Sequence, residues 1–171
     1  ESIGPTLGVD ALHAGVRAGI IGLIAIVLLL VLWYRLPGFI ASISLVVYSL
    51  LMLFLFKYIP VTLTSAGIAG FIISLGMAVD ANILIFERMK EELKSGKQLS
   101  EAISDGFDRA WNSIRDGNIS SIISALILAW FGTTLIKGFA ITFGLGVLVS
   151  MITAMTVSKV FLKVAAGNRA G

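Results

Sequence analysis

The chain has 171 residues; 57% are hydrophobic and only 13% are charged, and its mean hydropathy is +0.99. A soluble domain of this size needs far more charge to cover its surface, so the class is all-α integral membrane. The net charge of +3 is small and its basic residues form no stripe for nucleic acid, while the lack of Cys and the single His13 exclude disulfides, thiol chemistry and Cys- or His-rich metal sites.

The chain opens at Glu1 with a polar stretch, and no signal peptide is legible, so it reads as part of a longer polypeptide. Residues 1–12 are a Gly- and Pro-broken lead-in at the membrane surface. A spanning helix needs about 20 mostly apolar residues. That rule marks five spans, 13–33, 38–56, 62–86, 118–136 and 138–162, which make up a transmembrane bundle. The first carries the Gly15/Gly19 spacing that permits close helix contact. Trp33, Tyr34 and Arg35 form an interfacial belt, and Pro37-Gly38 turns the chain into the second span. That second span reads as plain lipid-facing scaffold, closed by Lys57, Tyr58 and Pro60.

The third span, 62–86, holds Asp80, the one residue of the Asp, Glu, Lys, Arg and His types between Lys57 and Glu87. A carboxylate at the centre of a membrane helix costs roughly 2.5–3.5 kcal/mol on insertion scales. Such groups face a protein interior or a water path, and the default reading is functional. At about 1.5 Å per residue Glu87 lies roughly 10 Å further along the axis, so Asp80 is displaced toward that end. The competing reading is an Asp satisfied by a neighbouring hydroxyl, with no further role.

Residues 87–117 are the one substantial polar stretch. ERMKEELKSG extends the third helix and stops near Ser95-Gly96. A short helix follows, with Ser100 as its N-cap. Leu99, Ile103, Phe107, Ala110 and Ile114 form its apolar stripe. It reads as a short cytoplasmic amphipathic helix on the membrane surface, or alternatively as a soluble partner-binding helix.

Small residues then recur in three helices. The third span has Gly67, Gly70, Ser74, Ala78 and Ala81, and the fourth has Gly117, Ser121, Ala125 and Ala129. The fifth has Thr142, Gly146, Ser150, Ala154 and Ser158. Small side chains let backbones approach, so these three spans are expected to pack together. On a helical wheel Asp80 shares its face with Ala69, Ile73, Gly76 and Glu87, away from the centre of the ladder. That face is expected to meet other helices or another subunit. Arg17 is too near the outer end to pair with Asp80, which places a basic partner on another chain.

Ten of the 13 Lys and Arg residues fall on one side of this scheme, and only Arg17, Lys57 and Lys137 on the other. The 87–117 stretch and the tail 163–171 are therefore expected to be cytoplasmic and Glu1 external.

GMAVDANILIFERMKEEL at 76–93, GFDRAW at 106–111 and the Asp116/Asn118 pair resemble the SecD branch of the SecD/SecF protein-export family, within the RND superfamily. GFAITFGLGVLVSMITA at 138–154, GPTLG at 4–8 and YRLPG at 34–38 extend the likeness over nearly the whole chain. The sister SecF branch typically lacks VDAN. Arg115 and Gly117 beside the Asp/Asn pair, and Ser120-Ser121 in place of threonines, are modest departures.

The resemblance implies a five-span bundle equivalent to helices 2–6 of one RND-type half, without the first helix and the large external domain. It implies a bacterial inner-membrane component that uses the proton-motive force to assist preprotein export on the outer side. Its partners would be a SecF-type half, the SecYEG translocon, the preprotein and lipid. The proton-relay role falls on Asp80, with Gly76, Asn82, Asp116 and Asn118 as supporting positions. Protons are the coupling ion, and no other cofactor is implied. Desolvation favours the neutral acid, which gives an independent reason for a carboxyl that loads and unloads a proton. The runner-up is an RND-type small-molecule or lipid exporter half, and a third reading is a structural scaffold. An enzyme finds no support, since no nucleophile–base pair or phosphate loop is present. An intramembrane aspartyl protease would need Asp80 to face Asp116, a residue placed at a helix start.

Overall fold

The computed structural model describes residues 5–59 and 64–167. It contains helices α1 (Pro5–Tyr34), α2 (Leu36–Tyr58), α3 (Ser65–Lys94), α4 (Leu99–Phe131), α5 (Thr134–Thr153) and α6 (Lys159–Gly167). A π turn, Ala154–Ser158, joins the last two without a break. Residues 1–4 of the lead-in, Pro60 and the end of the tail with Arg169 lie outside the described residues.

The joints are short and their chemistry is local. One residue, Arg35, separates α1 from α2, and it takes a left-handed φ of 52°. That region is uncommon for a residue with a side chain; here the chain must reverse within a single residue. Pro37 follows in the first turn of α2, where a missing N–H costs nothing. Thr64 caps α3 by accepting from the Gly67 amide at 3.1 Å. Gly96, at φ 91°, turns α3 back into α4.

The most extensive contact joins α3 to α5, followed by α3–α4 and α4–α5. Gly67, Gly70, Ser74, Ala78 and Ala81 of α3 are all buried, as are Thr142, Gly146 and Ser150 of α5, with Ala154 and Ser158 in the π turn. The two ladders face each other. A Cβ added at Gly146 would collide with the Ser74 side chain and lie 2.8 Å from Tyr48 Oη, so only glycine admits this approach. Tyr48 Oη and Ser74 Oγ lie 2.7 Å apart, which ties α2 to the same seam. Lipid is as apolar as the side chains, so this seam draws its stability from close packing and hydrogen bonds.

Several expectations change in detail. The lead-in is helical from Pro5, since proline is tolerated in a first turn. The short amphipathic helix and the fourth span are one continuous helix, α4. Its apolar stripe packs on the extension of α3 instead of lying on lipid, and Ala102, Ile103, Phe107, Ala110 and Ile114 are buried. Gly106 lets the two backbones meet, with an added Cβ only 2.8 Å from Met89 Cα. The fourth-span ladder is buried only at Ala125, and Gly117 faces open space. The break after α4 falls at Gly132-Thr133, so Lys137 sits in the first turn of α5. Four helical stretches are long and apolar enough to cross a membrane: His13–Tyr34, Leu36–Tyr58, Ser65–Lys94 and Thr134–Gly167. In α4 the run Arg115-Asp116-Gly117-Asn118 dilutes the apolar half that lies against α3 and α5.

Candidate functional site

Asp80 sits midway along α3, where Ala78, Val79, Ala81 and Asn82 are buried and Asp80 itself is exposed. Its face carries the residues expected there: Ala69 and Ile73 are exposed, and nothing approaches Gly76 within 4 Å of where a Cβ would stand. Asp80 opens onto a cavity of about 230 Å³ between α3 and α4. Met77, Ala81 and Leu84 line the α3 side, and Ser113, Ile114, Gly117 and Asn118 the α4 side. No cationic side chain lines it, and among the described residues Asp80 has no ion pair.

The structure brings Asn118 to this cavity and keeps it buried, while Ser113 joins it without any signal in the sequence beyond its place on α4. Asp116 is not part of the cavity lining. Its side chain is 68% exposed and pairs with Arg115 at 3.0 Å. Asn82 points elsewhere as well. It is 2% exposed, donates from Nδ2 to the Ala78 carbonyl at 2.8 Å, and accepts from Ser158 Oγ. Two residues along a helix turn the side chain by about 200°, so Asn82 belongs to the α5 seam and Asp80 to the open face.

The sequence profile of the family described as "Protein export membrane protein SecD/SecF, C-terminal" matches residues 1–167. The chain belongs to the SecD/SecF family. It is 54% identical to the protein translocase subunit SecD of Thermobaculum terrenum over 168 residues, covering 96% of this chain and 33% of that protein. It is 49% identical to the SecD of Dehalococcoides mccartyi, covering 100% of this chain and 39% of that one. The chain therefore spans a third to two fifths of these SecD relatives. The crystal structure of SecDF from Thermus thermophilus, described as a translocon-associated membrane protein, superposes with a TM-score of 0.94 at 41% identity. That match covers 98% of this chain and 23% of SecDF. The SecD resemblance of the VDAN and FERMKEEL stretches thus holds along the chain, which is a multi-pass membrane protein with the fold of the SecDF membrane part.

A second polar cluster in this SecD/SecF chain lies within the polar stretch 87–117, where no charge pairing is singled out by the sequence. Glu92 is only 8% exposed at its side chain, held by Lys97 at 2.5 Å and by Arg109 of α4. Lys97 also binds Asp105 at 2.6 Å, and Arg109 reaches Glu91 at 3.4 Å. The hydrogen bonds from Lys97, then from Arg109, hold the Glu92 carboxyl below the usual carboxylate range. Asp105, then Glu92, raise the Lys97 ammonium above its ordinary value. Arg109 and Lys97 thus join the ends of α3 and α4 at the hairpin, with Ser113 one helical turn beyond Arg109. At the same end Tyr34 Oη donates to Glu87 at 3.0 Å, tying α1 to α3.

Proposed function

We propose that this chain is the membrane part of a proton-motive-force-coupled accessory of Sec-dependent protein export, with Asp80 as the proton-carrying group. The observation that carries the reading is the position of Asp80: mid-helix, on an open face of α3, beside a largely apolar cavity to which Ser113 and Asn118 bring polar groups, and with no cation among the lining residues. A charge that crosses the membrane field is worth about 2.3 kcal/mol per 100 mV, enough to bias a packed bundle between two arrangements. The uncovered face suits a second, SecF-type half that supplies the missing cation. The SecYEG translocon, the preprotein and lipid complete the partners. The work is non-enzymatic, with the proton as the only coupling species. The basic residues of the α1–α2 joint, the α3–α4 hairpin and α6 lie at one end of the bundle, which supports a cytoplasmic setting for that end in a bacterial inner membrane, with Tyr58 outside.

Asp80→Asn tests the reading. It keeps the volume and imitates the protonated acid permanently, so the protein should assemble normally and lose its response to the proton gradient. Preprotein release in vesicles holding the complete complex measures this, with Asp80→Glu retaining partial activity. A fully responsive, normally assembled Asn variant would make Asp80 a packing residue. Cysteines introduced at positions 58 and 96 should label from opposite sides of intact cells; labelling from one side would overturn the orientation.

A further inference from the structure

The π turn has a geometric purpose that leads back to Asp80. The α5 ladder repeats every four residues, and each α-helical residue advances by about 100°, so each step overshoots a full turn by about 40°. Carried through four steps from Thr142, the overshoot amounts to about 160°, which on an unbroken α-helix would swing Ser158 off the α3 seam. Yet Ser158 is fully buried on that seam. The wider i→i+5 turn at Ala154–Ser158 lessens the rotation per residue and returns Ser158 toward α3. There its hydroxyl donates to Asn82 Oδ1 at 2.5 Å, across 76 residues of sequence. Asn82 in turn donates to the Ala78 carbonyl, spanning the turn of α3 on which Asp80 stands.

We propose that Ser158 is a positioning residue for the Asp80 site: carried inward by the π turn, it fixes Asn82 and thereby the Ala78–Asn82 turn that presents Asp80 to its cavity. The proposal rests on the proton-carrying reading of Asp80 for its functional meaning. Its geometry stands on the two hydrogen bonds and the π turn. Ser158 does not touch the cavity, so its influence must pass through α3. A further tie, Ser44 Oγ to the Thr153 carbonyl at 3.3 Å, holds the start of the π turn against α2.

The test reads the state of Asp80 directly, in the complete protein in membrane vesicles, as the pH at which a hydrophobic carbodiimide labels half of it. Facing Asp80 are Ser113 and Asn118 across the cavity, the exposed Arg115–Asp116 pair beyond them, and Glu87 two turns along the same face of α3. None of these contacts Ser158 among the described hydrogen bonds. Ser158→Ala and Asn82→Ala should each move the labelling midpoint in the same direction by about half a pH unit, a threefold change in the proton equilibrium. The double variant should move it no further than either single one, because both remove the same link. Ser158→Thr, which keeps the donor, should return it toward the original value. An unmoved midpoint in Ser158→Ala, or an additive double variant, would overturn the proposal. Should the Ala variant fail to assemble, Ser158→Cys, with a weaker donor and similar volume, must show a smaller shift of the same sign, and no shift overturns it equally. Asp80→Asn serves as the unlabelled control. If that variant keeps its gradient response, the proton-carrying reading fails while the labelling shift still decides the role of Ser158.

Discussion

Two faces of α3 do opposite things with the same kind of residue. On one, Gly67, Gly70, Ser74, Ala78 and Ala81 are small because another backbone lies against them. On the other, Ala69 is exposed, none of the described residues comes within 4 Å of a Cβ built at Gly76, and Asp80 looks onto a cavity edged by α4. Smallness on the first face yields packing, and on the second it leaves room around a carboxyl. The lesson is that a small residue in a membrane helix acquires meaning only from what stands opposite it.

The comparison breaks most sharply at Gly146. Gly146→Val drives a branched side chain into Ser74 and Tyr48, and such overpacking costs about 1–3 kcal/mol, occasionally more. Thermal unfolding in detergent should fall steeply, whereas Asp80→Asn should unfold at the original temperature and lose only gradient coupling. Equal losses of stability in the two variants would mean that both faces are packed. Ser150→Leu belongs with Gly146→Val, being fully buried, while Leu53→Phe, on a 61% exposed position, should be close to neutral.

An intermediate effect is expected at the hairpin that holds α4 against the Asp80 face. Because the folded Glu92 carboxyl titrates below its unfolded value, its stabilisation is present above pH of about 4.5 and is lost as pH falls through the folded value. Unfolding temperatures at neutral and at acid pH should therefore diverge in the wild type. In Glu92→Gln, which no longer titrates there, the acid-dependent part of the difference should shrink. An unchanged difference would show that the cluster does not hold the hairpin.

The smallest effect sharpens the same contrast. Gly76→Ala adds a methyl where the structure has open space, and removing a helical glycine stabilises by about 0.5–1 kcal/mol. The isolated chain should tolerate it or gain from it. If the complete complex is weakened while the chain alone is not, the open face is covered by a partner, and the volume tolerated at position 76 reports how closely.

Much of this molecule was legible before any coordinates. The scarcity of charge declared a membrane bundle, the isolation of Asp80 singled out a candidate site, and the ladders on α3 and α5 marked the seam, since helix periodicity places residues three and four apart on one face. The same periodicity assigned a ladder to α4 that stays mostly uncovered. A helical wheel ranks the faces of one helix and carries no information on which neighbour each will meet. Asn82, two residues from Asp80 in the VDAN stretch, read as part of its surroundings, yet the fold turns it to α5. Nothing in the polar stretch 87–117 signalled that Glu92 is enclosed, because its partner Arg109 lies 17 residues further on. Local sequence thus determined the helices and their chemistry. The tertiary structure alone decided the pairing of faces, the π turn and the Ser158–Asn82 contact, because each depends on groups that only the packed bundle brings within hydrogen-bonding distance.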